Sequence, residues 1–357
     1  MNPHLNSQMI QTGKSITLNP FLAGKTREDL QELCRRATAK PVHAKRLFAS
    51  VHRHRIFEID LIPDLPGSLR TYLKNHQNSI TATLMNKQRS QDGTRKFLLG
   101  LVDGDMVETV LIPTAERLTL CISTQVGCAL GCRFCLTSTN GLKRNISTVE
   151  MLAQIQMAQS QTKDEIRNLV LMGMGEPFHN FDAVARFVRI ITDPLGMAFS
   201  PKRVTVSTAG LVPGIYRMIE ENLPCNLAIS LHATTDEIRD KIMPTNRRYP
   251  IKTLMDASRD FNKKTGKRLL IEYALLAGVN DSNEDAQRLV MLLQGLPCTI
   301  NLLPLNESKD IPYRQPDQER IATFRSILSD AGYVVVVRES RGEDILAACG
   351  QLSRHFS

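Results

Sequence analysis

From Leu118 onward, short apolar runs alternate with helical patterns, and this alternation constrains the fold more than any other feature of the chain. Strands are expected at Leu118–Ser123, Asn168–Met174, Arg203–Ser207, Asn226–His232, Arg268–Leu275, Thr299–Leu305 and Tyr333–Arg338. Helical stretches such as VEMLAQIQMAQS, FDAVARFVRII and DQERIATFRSILSDAG lie between them. Repeated β-α units place successive strands parallel, with the helices as crossovers. About six units make most of a (β/α)8 barrel without closing it. The expected fold is therefore α/β, a partial (β/α)6 TIM-type barrel over residues 118–357. In such barrels the chemistry gathers at the C-terminal ends of the strands.

Upstream the pattern differs. TREDLQELCRRA opens with a Thr N-cap and an acidic first turn, KPVHAKRLFASVHRH follows Pro41, and LPGSLRTYLKNH comes third, so three helices are expected between Thr26 and Leu73. Residues 1–85 then form a small helical domain. Residues 86–117 read as a β-hairpin extension, because Asp92-Gly93 and Asp103-Gly104 are turn signals between short strands. At 357 residues the chain is long enough for both parts.

Charge is distributed unevenly. The net charge is +9, and residues 1–85 hold twelve Lys/Arg against six Asp/Glu. A basic module of this kind favours a polyanionic partner, nucleic acid above all, through phosphate neutralisation. A solvated face with incidental sign bias is the plainer alternative. Arg35, Arg36, Arg53 and Arg55 are the candidates for phosphate contact. No apolar h-region opens the chain, and no apolar run approaches the length of a membrane span, so no membrane association is expected. Eight cysteines, three of them clustered, suit a reducing compartment, the cytoplasm.

That cluster is GCALGCRFC, a Cys-x3-Cys-x2-Cys run of Cys128, Cys132 and Cys135 just past the first barrel strand. Three thiolates at this spacing suit a soft-metal site. A four-iron cluster would keep one iron open to another ligand, whereas zinc would need a distant fourth residue such as Cys121 or His232. Buried structural cysteines are the third reading. Other strand ends carry LMGMGEP (171–177), Val206-Ser-Thr-Ala-Gly, Ile229-Ser-Leu-His and Leu303-Pro-Leu-Asn306. The glycines let backbone approach a ligand, and Glu176 can accept hydrogen bonds from an ammonium group. Each of these is also an ordinary turn or cap.

Taken together, CISTQVGCALGCRFC (121–135), GMGEP, VETVLIP (107–113), AISLHATTDEIRDKIMPTN (228–246) and EDILAACGQL (343–352) resemble the RlmN/Cfr family of radical S-adenosylmethionine ribosomal RNA adenine methyltransferases, over essentially the whole chain. The resemblance implies a 4Fe-4S cluster on Cys128, Cys132 and Cys135 and two S-adenosylmethionine molecules per turnover. It places Gly175, Glu176, Ser207, Ser230, Leu231, His232 and Asn306 around that cofactor. It makes Cys349 the methyl carrier, Cys121 its partner thiol through a transient disulfide, and Glu108 a proton acceptor. The implied substrate is an adenine of 23S ribosomal RNA, with transfer RNA as a second one. A low-potential electron donor such as a flavodoxin and a monomeric enzyme belong to the same picture.

The chemistry accounts for these parts. Carbon 2 of adenine has no nucleophilic lone pair, so polar methyl transfer is closed and a radical route is needed. Cys34, Cys225 and Cys298 match no motif and read as packing residues. Methylation of carbon 8, which confers antibiotic resistance, shares every catalytic cysteine, although SRGEDILAACGQL looks more like the carbon-2 branch. A zinc-stabilised RNA-binding protein and a radical enzyme acting on a small molecule are the rival classes.

Overall fold

The structure is a computed structural model and describes residues 13–76, 80–139 and 141–352. One eleven-stranded sheet organises it. Four strands come first: β1 (Ser15–Leu18), β2 (Ile80–Arg89), β3 (Arg95–Gly100) and β4 (Met106–Pro113). Then come β5 (Leu118–Cys121) and a separate hairpin of β6 (Gln125–Gly127) and β7 (Leu142–Asn145). The rest are β8 (Ile166–Leu171), β9 (Val204–Thr208), β10 (Asn226–Ser230), β11 (Leu269–Leu275), β12 (Cys298–Pro304) and β13 (Val334–Val337). Strands β1 to β5 are antiparallel neighbours. From β5 through β8 to β13 every neighbour is parallel, which makes seven strands and six crossovers. The partial barrel expected from the alternation is this parallel part.

The helices are α1 (Pro20–Ala23), α2 (Arg27–Arg36), α3 (His43–His52), α4 (Gly67–Asn75), α5 (Thr148–Gln159), α6 (Phe181–Thr192) and α7 (Val212–Glu220). Four more follow, α8 (Asp236–Ile242), α9 (Ile251–Thr265), α10 (Asn283–Leu293) and α11 (Gln318–Asp330). Reciprocal capping boxes start three of them, Thr26 with Asp29, Ser147 with Glu150 and Ser282 with Asp285. Helix α5 is buried from Thr148 to Ala158, so it has no solvent face and no amphipathic stripe. Its Gln154 uses that burial: Oε1 accepts from Ser123 N at 2.8 Å and from Thr109 Oγ1 at 2.5 Å, and Nε2 donates to Ser123 O at 2.9 Å.

The first quarter is less purely helical than its pattern implies. Strand β1 precedes the helices and pairs antiparallel with β2, so this region is stitched into the main sheet. Leu30, Leu33, Leu47, Phe48, Val51, Leu69 and Leu73 of α2 to α4 are buried. Arg27 on α2 ion-pairs with Asp193 at 2.5 Å, and Asp29 pairs with Arg186 of α6. Both Asp-Gly pairs turn the chain as expected, with Gly93 and Gly104 at φ +85° and +83°. No helix among the described residues is long and apolar enough to cross a membrane.

Candidate active site at the barrel mouth

The loop between β6 and β7, beyond the end of β5, carries the three cysteines. It is shaped by Gly131 in the left-handed region at φ +68° and by Cys135 N donating to Cys132 O at 3.2 Å. Cys128 N donates to Gly141 O at 3.0 Å, and Arg133 N to Ile242 O at 3.0 Å, so two neighbouring segments fix its course. Burial raises the Cys128 thiol to about 11 and Cys132 well above its usual value, and proximity to the other thiols adds to both. Among the described residues, no three His, Cys, Asp or Glu side chains are drawn into a closed metal cage. The donor set itself fits an iron–sulfur cluster: three soft sulfurs on one short loop, each a free thiol. Cluster assembly there must displace the thiol protons.

Strand β8 ends against this loop. Gly173 and Gly175 are required by the neighbouring chain before any ligand. A Cβ on Gly173 would lie 2.6 Å from Ile122 O, and one on Gly175, at φ +102°, would lie 2.5 Å from Gln125 Cβ. Glu176 is buried and turned across the sheet. Its Oε2 accepts from Ala209 N at 2.8 Å and its Oε1 from Phe178 N at 3.0 Å, which locks the β8 and β9 ends together. Desolvation nevertheless lifts its carboxyl to about 7.

The next strands add a polar row in register. Ser230 pairs with Glu272 and Glu272 with Asn301, while Ser207 Oγ lies 3.4 Å from Ser230 Oγ. Asn301 Nδ2 donates to Glu272 Oε1 at 2.8 Å. Leu231 contributes backbone, its N–H bonded to Glu272 O at 3.0 Å. His232, at φ +56°, accepts from Ala274 N through Nδ1 at 2.9 Å, so its ring proton sits on Nε2. Burial pulls its pKa down to about 3, and the ring is neutral. Phe134, between two of the cysteines, meets it edge-on with centroids 5.0 Å apart.

The C-terminal segment closes the site. Leu136 N donates to Gly350 O at 2.8 Å and Thr137 Oγ1 to Leu352 O at 2.7 Å, so the segment lies on the cysteine loop. Asn306 reaches it: Nδ2 donates to Cys349 O at 3.1 Å, and Oδ1 accepts from Ser340. Cys349 is solvent-accessible yet set deep among protein atoms. That desolvation, with Cys121, Glu272 and Cys135 nearby, pushes its thiol up to about 12. Cys121 ends β5, packs with Val110, Met174, Ile345, Ala347 and Leu352, and is raised by burial to about 12. The Cys121–Cys349 disulfide is not formed, and all eight cysteines are free thiols. Hydrogen bonds to its backbone segment, from the Asn306 side chain and from the cysteine loop, hold Cys349 in place without a covalent tie. Cys34, Cys225 and Cys298 are buried packing residues.

Glu108 lies on β4, fully buried, with Oε1 3.1 Å from Lys96 Nζ. Lys96 and Glu272 lie in no sequence motif, and Arg239 lies in one without standing out there. Arg239 donates to backbone carbonyls at the ends of β9 and β10 and stands close enough to Cys132 to oppose the rise in its pKa. Residues 122–290 match the Radical SAM superfamily. The chain is 43% identical over 333 residues to the dual-specificity RNA methyltransferase RlmN of Syntrophobacter fumaroxidans, covering 93% of this chain and 97% of that protein. The chain belongs to the RlmN family of radical S-adenosylmethionine enzymes.

A second member, from Geobacter sulfurreducens, is 44% identical over 335 residues, covering 94% of this chain and 89% of its own. A radical SAM methyltransferase from Sphaerobacter thermophilus has the same fold, with a TM-score of 0.84 at 42% identity over 94% of this chain and 99% of that one. Family membership accounts for the cysteine loop and for a cluster with S-adenosylmethionine as cofactors. The N-terminal arginines are on the surface. Arg35 and Arg36 both pair with Glu32, and Arg53 and Arg55 are exposed.

Proposed function

We propose that this radical SAM RNA methyltransferase methylates carbon 2 of an adenine in 23S ribosomal RNA and acts on transfer RNA as a second substrate. Cys349 is the methyl carrier, Cys121 its partner thiol and Glu108 the proton acceptor. The seating of Cys349 carries this reading. Its segment is bonded to the cysteine loop on one side and to Asn306 on the other, with Cys121 near enough to shift its pKa. The dual-specificity name shared by the relatives supports two RNA substrates.

Cys128, Cys132 and Cys135 would hold the cluster, and when bound it supplies, with S-adenosylmethionine, the one-electron chemistry that an unactivated ring carbon demands. The chain's own residues do the rest. Glu176 and Arg239 fix the ends of β8, β9 and β10 around the cofactor space. His232 offers a neutral Nε2–H there. Cys349 brings the carbon on its sulfur to the base, and Glu108 takes the proton that carbon 2 gives up. Cys121, as its thiolate, then bonds to the Cys349 sulfur while the bond from that sulfur to the transferred carbon breaks. That carbon keeps the electron pair and takes a proton to become the methyl group, and an external thiol or electron donor reduces the disulfide afterwards. The basic helices of residues 1–85 dock the RNA, and the target base leaves its stack to reach the barrel. A monomeric cytoplasmic enzyme fed by a flavodoxin-like donor completes the reading.

Nucleoside mass spectrometry of 23S RNA from a strain lacking its own carbon-2 enzyme, with and without this gene, tests it. Appearance of 2-methyladenosine is expected. Appearance of 8-methyladenosine instead would move the activity to the other ring carbon, and neither product would refute the substrate.

A further inference from the structure

Lys96 is a buried charge with no part in the chemistry so far. It lies on β3 with its side chain 4% exposed, and its ammonium meets groups of different kinds. Among them are the Glu108 carboxylate at 3.1 Å and the Leu346 carbonyl at 3.2 Å. The sheet register explains the first. Lys96 pairs with Val110 and Leu98 with Glu108, so the two charges are diagonal neighbours on one face of β3 and β4. The second joins that face to the segment that ends in Cys349.

This second contact falls on a strained turn. Residues 342–347 fold back on themselves, with Ala347 N donating to Gly342 O at 2.8 Å and Leu346 N to Glu343 O at 3.0 Å. Leu346 sits at φ +51°, a left-handed conformation that a leucine adopts only at a cost. Its carbonyl is thereby presented to Lys96. The turn is also held at its start, where Gly342 N donates to Asp92 Oδ2 at 2.9 Å. Cys349 is three residues beyond Leu346, so the Lys96 contact holds the near side of the segment and Asn306 and the cysteine loop hold the far side.

We propose that Lys96 is the positioning residue that joins the proton acceptor to the methyl carrier, one ammonium holding the Glu108 carboxylate and the Leu346 turn in a single fixed arrangement. The inference rests on the reading of Glu108 and Cys349 given above. A carboxylate that must take a proton from the ring carbon that Cys349 alkylates needs a fixed place relative to that sulfur, and Lys96 ties the two segments together. Without Lys96 the left-handed turn has lost the partner that its carbonyl faces.

Hydrogen exchange on the full-length protein tests this. Lys96→Met alone would leave the Glu108 carboxylate in the core without its cation, so the informative comparison is Glu108→Gln against Lys96→Met/Glu108→Gln. The double variant is neutral at this pair, and Glu108→Gln keeps the cation beside a polar amide, so neither leaves a bare carboxylate in the core. Loss of the charge-assisted bond to Leu346 is expected to speed exchange across residues 342–349 on the order of tenfold or more in the double variant. It should also speed alkylation of Cys349 by iodoacetamide, read on its peptide by mass spectrometry. Lys96→Arg, which keeps a cationic donor, should restore slow exchange and slow alkylation. Equal exchange with and without Lys96 would overturn the proposal, as would an arginine variant that behaves like methionine. Absence of any methyl on Cys349 during turnover of the unaltered enzyme would sink the carrier reading separately, whatever the exchange shows.

Discussion

Arg239 donates through Nη2 to the carbonyl of Ala209, 2.7 Å away, and so binds α8 to the loop that follows β9. The same guanidinium reaches Ser230 O at 3.1 Å, Leu231 O at 2.9 Å and Asn246 Oδ1 at 2.9 Å. All four acceptors are neutral, the side chain is fully buried, and burial lowers its pKa to about 10, which still leaves it cationic at neutral pH. Arg239→Met would strand these acceptors, each worth about 1–3 kcal/mol when left unpaired. The expected outcome is a fall in Tm on the order of 10 °C, with a smaller fall for Arg239→Lys. An unchanged Tm by calorimetry would refute the clamp.

Gly175 presents a steric case. At φ +102° it occupies backbone space closed to other residues, and a Cβ there would lie 2.5 Å from Gln125 Cβ and 2.7 Å from Gln125 Cγ. Gly175→Ala should destabilise the protein by roughly 2–4 kcal/mol, through strain and overpacking together. It should also shift Glu176, whose N–H donates to Gln125 Oε1 at 2.8 Å. Denaturant unfolding measures the first effect. A loss below about 1 kcal/mol would mean that the loop yields easily.

Both residues show what a sequence pattern reaches and what it misses. The parallel strands were legible because each is a short apolar run between helical patterns. The cysteine loop was legible because its spacing is local. Strand β1 was not, since SITL is four residues whose pairing partner lies more than sixty residues on. Lys96 reads as the solvent side of an alternating strand, yet β3 is buried on both faces from Lys96 to Leu99. Arg239 hides in the charged run DEIRDK, and only its i,i+3 relation to buried Ile242 marks it as inward-facing. Asn306 and the two glycines were placed at strand ends, and the chain segments that they also touch were not legible. Local chemistry is written in spacing. Long-range contacts are not.

The cysteines divide into two experimental classes. Cys128→Ala, Cys132→Ala and Cys135→Ala should each abolish iron binding and the visible absorbance of the reconstituted protein, and RNA methylation with them. Cys349→Ala should leave iron content and absorbance unchanged and still eliminate methylated RNA. Iron retained at full stoichiometry in any of the first three would overturn the ligand assignment, and methylated RNA from Cys349→Ala would overturn the carrier.

His52 sets part of the acid stability of the basic N-terminal region. It is 3% exposed, its ring packs 4.4 Å from that of Phe48, and Nε2 has no hydrogen-bond partner among the described residues. Desolvation lowers its pKa from 6.5 to about 4, so the folded protein keeps it neutral. The unfolded chain binds a proton near pH 6.5. Stability from this group is therefore complete above about pH 6.5 and is lost as pH falls toward 4, by about 2 kcal/mol at pH 5. His52→Leu removes that titration while keeping an apolar side chain in the site. The stability gap between the two proteins, measured by denaturant unfolding, should move toward the variant by this amount between pH 7 and pH 5. A gap that stays constant across that range would show that His52 titrates alike in the folded and unfolded chains.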